Sequence, residues 1–148
     1  MQGAQRHGDA VVLVDRKSRY LLLAKTQDRK AWRVRHHLEE LLGPLPPQQR
    51  RSVTFDHGTE FTEHLFLTAH LQLPVYFARP YCPWQRGTCE NTNGLIRQFF
   101  PKGMAFDEIS TQRIADVARL LNHRPRKILG YLTPSEVFTE QTPVAIES

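Results

Sequence analysis

Two short apolar runs, AVVLVD (Ala10 to Asp15) and RYLLLAK (Arg19 to Lys25), flank the turn-forming RKS and predict a β-hairpin. The period then changes in AWRVRHHLEELLGPLPP. Trp32, Val34, Leu38, Leu41 and Leu42 recur at helical spacing, and Gly43 with Pro44 ends the run. RSVTFD predicts a third strand finishing on Asp56. TEFTEHLFLTAHLQL returns to a helical period through Phe61, Leu65, Phe66 and Ala69, and PVYFA predicts a further strand. Beyond a loop from Pro80 to Gly87, TCENTNGLIRQFF reads as a helix, followed by a loop broken by Pro101 and Gly103. STQRIADVARLLNHRP predicts an amphipathic helix capped by Ser110, with Ile114, Val117, Ala118 and Leu121 on its apolar face. LTPSEVF predicts a short last helix with Pro134 at its first position. Strands alternating with helices make this an α/β chain. No repeat, low-complexity segment or interdomain linker interrupts it, and 148 residues predict one domain with a substantial core.

Composition narrows the class. Hydrophobic residues make up 40% and charged residues 24%, ordinary values for a soluble globular protein. No apolar run approaches the roughly 18 residues that suggest a membrane span. The opening MQGAQRHGDA lacks the apolar core of a signal peptide, so a cytoplasmic location is expected. Cys82 and Cys89 are too widely spaced for a CxxC clamp and have no paired histidine motif to complete a zinc set, which fits a reducing compartment. The net charge of +5 favours a polyanionic partner. Its basic clusters (DRKSRY, DRKAWRVRHH, QQRRS, IRQFFPKG and NHRPRK) predict a dispersed basic surface rather than one block.

Two acidic residues stand out. Asp56 ends a strand and precedes the turn-forming HGTEF, a common position for an α/β site, although an isolated aspartate there more often caps a turn or helix. Glu90 lies in the first turn of its helix, where the dipole favours a negative charge in any case. Asn93, Gly94 and Arg97 follow it at three, four and seven residues, so these four share one face. Leu95, Ile96 and Phe99 are left to pack against a sheet.

VTFDHGTEF, VYFARPYCPWQRGTCENTNGLIRQFFPKG and LNHRPRKILGYLTPSEVF together resemble the catalytic core of bacterial insertion-sequence transposases of the IS-thirty group. The resemblance runs from about Val12 to Phe138 and implies a ribonuclease-H-like integrase core, a mixed sheet flanked by helices. It also implies an Asp, Asp, Glu triad holding Mg²⁺ or Mn²⁺ in a two-metal site. Asp56 matches the second aspartate and Glu90 the glutamate, 33 residues separating them. Carboxylates suit such hard cations, and a metal pair can activate the attacking oxygen and stabilise the leaving one in phosphoryl displacement. The implied partners are double-stranded DNA, both element ends and target, and further copies of the chain in an active homo-oligomer. Arg97 matches a basic residue that contacts DNA near the active site. Trp84 and Arg86 match a loop before the catalytic helix, where a stacked base and a phosphate are their functional partners and packing on the sheet edge is the alternative. Asn91 and Asn93 either orient Glu90 or DNA, or act as capping amides.

By the same matching, the first catalytic aspartate and its strand lie upstream of Met1, as do the family's recognition helices. The chain is then a partial core, residues 1–148, whose sheet lacks its central first strand and exposes unpaired edges. Asp15 is the in-chain candidate for the missing acid and is read as a turn residue; Asp9 is a weaker one. Arg124, Arg126 and Lys127 suggest a DNA-facing surface, against the ordinary reading of a solvated charge run. Three functions stay open: a transposase core whose chemistry needs the missing strand, a DNA-binding remnant that modulates an intact transposase, and a nuclease without strand transfer.

Overall fold

The computed structural model describes residues 4–7, 10–28, 30–55, 63–78, 87–101 and 103–140. Five strands form one mixed sheet: β1 (Ala4–His7), β2 (Ala10–Val14), β3 (Leu21–Lys25), β4 (Val53–Phe55) and β5 (Val75–Phe77), in the order β3-β2-β1-β4-β5. Among the described residues, five α-helices accompany it: α1 (Ala31–Leu42), α2 (His64–Leu71), α3 (Gly87–Ile96), α4 (Thr111–Asn122) and α5 (Pro134–Glu140). The hairpin forms as its pattern predicts, with β2 and β3 antiparallel and in register from Ala10↔Lys25 to Val14↔Leu21.

The sheet centre departs from expectation. It is not left without a strand, because β1 lies between β2 and β4, antiparallel to the first (Ala4↔Leu13 to His7↔Ala10) and parallel to the second (Ala4↔Phe55). A strand so near its antiparallel partner in sequence closes only a short loop, and it supplies donors and acceptors to edges otherwise unpaired. Its sequence, AQRH, brings no carboxylate to the sheet centre.

Strand β2 is buried at every position, because helices cover both faces of the sheet. Val11 and Leu13 join Val53 and Phe55 under α1, α2 and α5, through Val34, Leu38, Leu42, Leu67 and Phe138. Ala10, Val12 and Val14 face the other way, with Leu21 and Leu23, onto Ile96, Phe100, Ile114, Val117 and Leu121 of the α3 and α4 side. The alternation of side chains along a strand thus feeds two cores from one run.

Helix ends follow local chemistry. Ser110 Oγ accepts from the Arg113 N–H at 3.1 Å, capping α4 as its sequence predicts. Thr133 and Glu136 form a reciprocal capping box at α5: the Thr133 N–H donates to Glu136 Oε2 at 2.7 Å, and the Glu136 N–H donates to Thr133 Oγ1 at 3.1 Å. Two expectations about facing are corrected. Trp32 is exposed, its ring covered by the Arg33 guanidinium at 4.9 Å. In α2, Leu65, Phe66 and Ala69 face outward and Leu67 is the buried residue. Arg35, bonded to Glu63 at 2.9 Å, lies 5.0 Å from the Phe66 ring and shields it.

Candidate nucleic-acid interface

Helix α3 sits over β1 and β2 and divides its residues between two surfaces. Thr92 and Ile96 are buried, anchoring one side. Glu90, Gly94 and Arg97 are exposed, Asn93 is half-buried, and Gly94 leaves bare backbone with open space where a Cβ would stand. The acid, amide and glycine of the expected face thus lie on α3, whereas the helix ends at Ile96 and the base, Arg97, follows in the turn, its N–H donating to the Asn93 carbonyl at 3.0 Å. Asn91, which the sequence groups with Glu90, lines a different surface with Gly87, Thr88 and Thr92.

That second surface is an open cleft of about 560 Å³ completed by Arg19, Arg126, Lys127 and Ile128. The β2–β3 turn delivers Arg19. Asp15 accepts from the Ser18 N–H at 2.9 Å and from Ser18 Oγ at 2.5 Å, and the Arg19 N–H donates to the Asp15 carbonyl at 2.8 Å. Arg19 closes the turn in the left-handed region, φ 64°, a conformation tolerated here because those bonds fix the backbone. Its guanidinium then donates to Thr88 Oγ1 at 2.6 Å, 69 residues away in sequence. Asp15 is buried within this turn.

Arg126 comes from the loop after α4. Its N–H donates to the Leu132 carbonyl at 3.0 Å, its carbonyl accepts from the Tyr131 N–H at 2.8 Å, and Nη2 reaches the Leu121 carbonyl at 3.3 Å. Burial first, then the guanidiniums of Arg124 and Arg19, hold Arg126 below the usual arginine range. Among the described residues no carboxylate pairs with Arg19, Arg124, Arg126 or Lys127. A second cleft, about 450 Å³ between Trp32, His36, His37 and Thr111, differs in this respect, since its Arg33 is neutralised by Asp28 at 3.3 Å.

Asp56, Asp9, Trp84 and Arg86 lie outside the described residues. Phe55, directly before Asp56, is placed on β4, where its carbonyl accepts from the Ala78 N–H at 2.8 Å. The described residues include no group of three or more His, Cys, Asp and Glu side chains able to hold a metal; of the expected pair Asp56 and Glu90, Glu90 is the one that is placed. Its oxygen donor type suits Mg²⁺ or Mn²⁺, yet one carboxylate is not a site. Sequence reasoning missed Arg19 and Thr88 as site residues. The basic DRKSRY cluster was visible, but nothing local linked it to α3. No described helix is long and apolar enough to cross a membrane.

The profile of the integrase core domain matches residues 4–83. The chain is 42% identical over 132 residues to transposase InsI for insertion sequence element IS30A of Escherichia coli (strain K12), covering 89% of this chain and 34% of that protein. Similarity to the transposase for insertion sequence element IS1086 of Cupriavidus metallidurans is 40% over 144 residues, 95% of this chain and 41% of that protein. With the transposase for insertion sequence element IS4351 of Bacteroides fragilis, identity is 47% over 100 residues, 66% of this chain and 31% of that protein. The chain therefore spans between 31% and 41% of the length of these curated relatives.

Proposed function

This chain belongs to the integrase core family that includes the IS30-type transposases, and we propose that it serves transposition as a DNA-binding core, joining an intact transposase on DNA and modulating it. The observation that carries the reading is the set of cations around α3, Arg19, Arg124, Arg126 and Lys127, left without carboxylate partners among the described residues. Uncompensated like charges held together raise the energy of the free protein, and a polyanion relieves it. Phosphate contacts of this kind position a protein on DNA without selecting sequence.

A second reading is metal-dependent phosphodiester hydrolysis and strand transfer. The family generally uses divalent metal ions. Asp56, directly after β4, and Glu90 on α3 are the residues that would hold them, with a third carboxylate required; Asp15 is a poor source because it is engaged by Ser18. Bound there, the metals would activate the attacking oxygen and stabilise the leaving one. Arg97 and Asn93 would then meet DNA beside Glu90, with Trp84 and Arg86 contributing from the segment that precedes α3 in sequence.

Fluorescence anisotropy with duplex DNA, paired with a strand-transfer assay on pre-nicked element-end DNA in Mn²⁺, tests both. Binding that weakens steeply with salt, no products from this chain alone and altered product yield when it is added to an intact transposase are expected. Products from this chain alone would replace the modulatory reading with the catalytic one. Absence of DNA binding at low salt would remove both.

A further inference from the structure

We propose that Arg19, Arg126 and Lys127, with Thr88 and Asn91, form a phosphate-binding subsite that grips a DNA backbone on the flank of α3 away from Glu90. The inference rests on the DNA-binding reading and adds where a phosphate sits. The cleft is lined by two guanidiniums, one ammonium, the hydroxyls of Thr88 and Thr92 and one amide, with no carboxylate among its described lining residues. Phosphodiester oxygens are acceptors only, so this donor-rich set complements them. With three cations and no carboxylate among its described lining residues, the cleft disfavours a metal ion.

The donors are arranged before any ligand arrives. The hydrogen bond from Arg19 to Thr88 and the bonds around Arg126 hold both guanidiniums at one end of α3. Gly87 and Thr88 belong to the first turn, whose N–H groups have no partner within the helix and favour an anion. Burial chiefly, and then the Arg124 and Arg19 guanidiniums, lower the affinity of Arg126 for its proton. Ile128, 71% exposed at the cleft's edge, offers apolar surface to a sugar or base.

Helix geometry separates this subsite from the acidic face. At about 100° per residue, Thr88 stands roughly 160° around α3 from Glu90. Asn91 stands about 100° and Gly87 about 60° from Glu90, so the pocket between Arg19, Arg126 and Thr88 lies on the far flank while the cleft's rim approaches the acidic face.

The test is DNA binding by the full chain, measured by anisotropy over a salt series, for the parent, Arg126→Gln/Lys127→Gln and the exposed single variant Lys127→Gln. Arg33→Gln, in the neutralised second cleft, is the control, and circular dichroism verifies folding. The slope of log Kobs against log salt should become shallower by about 0.9 for each phosphate that is no longer neutralised, hence by about one for the single variant and two for the double. Parent binding with unchanged slopes in both variants overturns the subsite and leaves the DNA-binding reading standing. If the parent does not bind DNA, that reading fails separately. Titration with inorganic phosphate, followed by amide NMR, then decides: shifts at Thr88 and Asn91 that vanish in Lys127→Gln uphold the phosphate subsite, and no such shifts overturn it.

Discussion

Replacing Asn122 by alanine should destabilise the fold more than any surface substitution of similar size. Asn122 is buried at the end of α4 and binds one residue of the edge strand twice. The Leu21 N–H donates to Asn122 Oδ1 at 2.7 Å, and Asn122 Nδ2 donates to the Leu21 carbonyl at 2.8 Å. Strand β3 is the sheet edge, so this amide takes the part of a missing neighbouring strand. Alanine leaves a buried donor and a buried acceptor unpaired. Each such group costs about 1–3 kcal/mol, and partial access of water brings the expected total to roughly 2–4 kcal/mol. That is a large share of the about 5–15 kcal/mol typical of a domain. Equilibrium urea unfolding should show a lower midpoint at unchanged slope, and the melting temperature should fall by roughly 4–16 °C for a chain of this size. Asn122→Asp should fare no better at neutral pH, because a carboxylate oxygen replaces the donor facing the Leu21 carbonyl. A loss below about 0.5 kcal/mol for Asn122→Ala, the range of an ordinary surface change, would refute the argument.

Other outcomes follow from separate parts of the structure. Phe138→Ala removes a buried ring stacked on Tyr20 at 4.2 Å and 4° and should cost about 3–5 kcal/mol in chemical denaturation. Gly94→Ala should stabilise the chain by up to about 1 kcal/mol, since a Cβ meets nothing there; if DNA approaches that bare backbone closely, anisotropy will show weaker binding despite higher stability. The Glu136 carboxyl is held below its ordinary range, chiefly by the Thr133 backbone N–H and then by the Thr133 hydroxyl. A depressed carboxylate contributes stability that is complete above its unfolded pKa and lost as pH falls through the folded one. Melting measured down an acid series should therefore show the difference between parent and Glu136→Gln shrinking across that window; a constant difference would count against the capping box as its source.

The sequence by itself determined the elements whose signals are local. The β2–β3 hairpin, the Ser110 cap of α4 with Ile114, Val117 and Leu121 buried, and the start of α5 at Pro134 all depend on neighbours within a turn or two. The exposed face carrying Glu90 and Gly94 was also legible, because helical spacing alone places those residues together. Tertiary structure decided what periodicity leaves degenerate or what joins distant segments. In α2 the apolar residues Leu65, Phe66, Leu67, Ala69 and Leu71 are spread around the helix, so the spacing could not tell that Leu67 faces in while Leu65 and Phe66 face out. AQRH has no strand-like pattern, and β1 forms because both neighbouring strands offer unpaired backbone groups. The cleft of Arg19, Thr88 and Arg126 and the Asn122–Leu21 clasp join segments remote in the chain, and only the folded sheet brings their donors and acceptors within bonding distance.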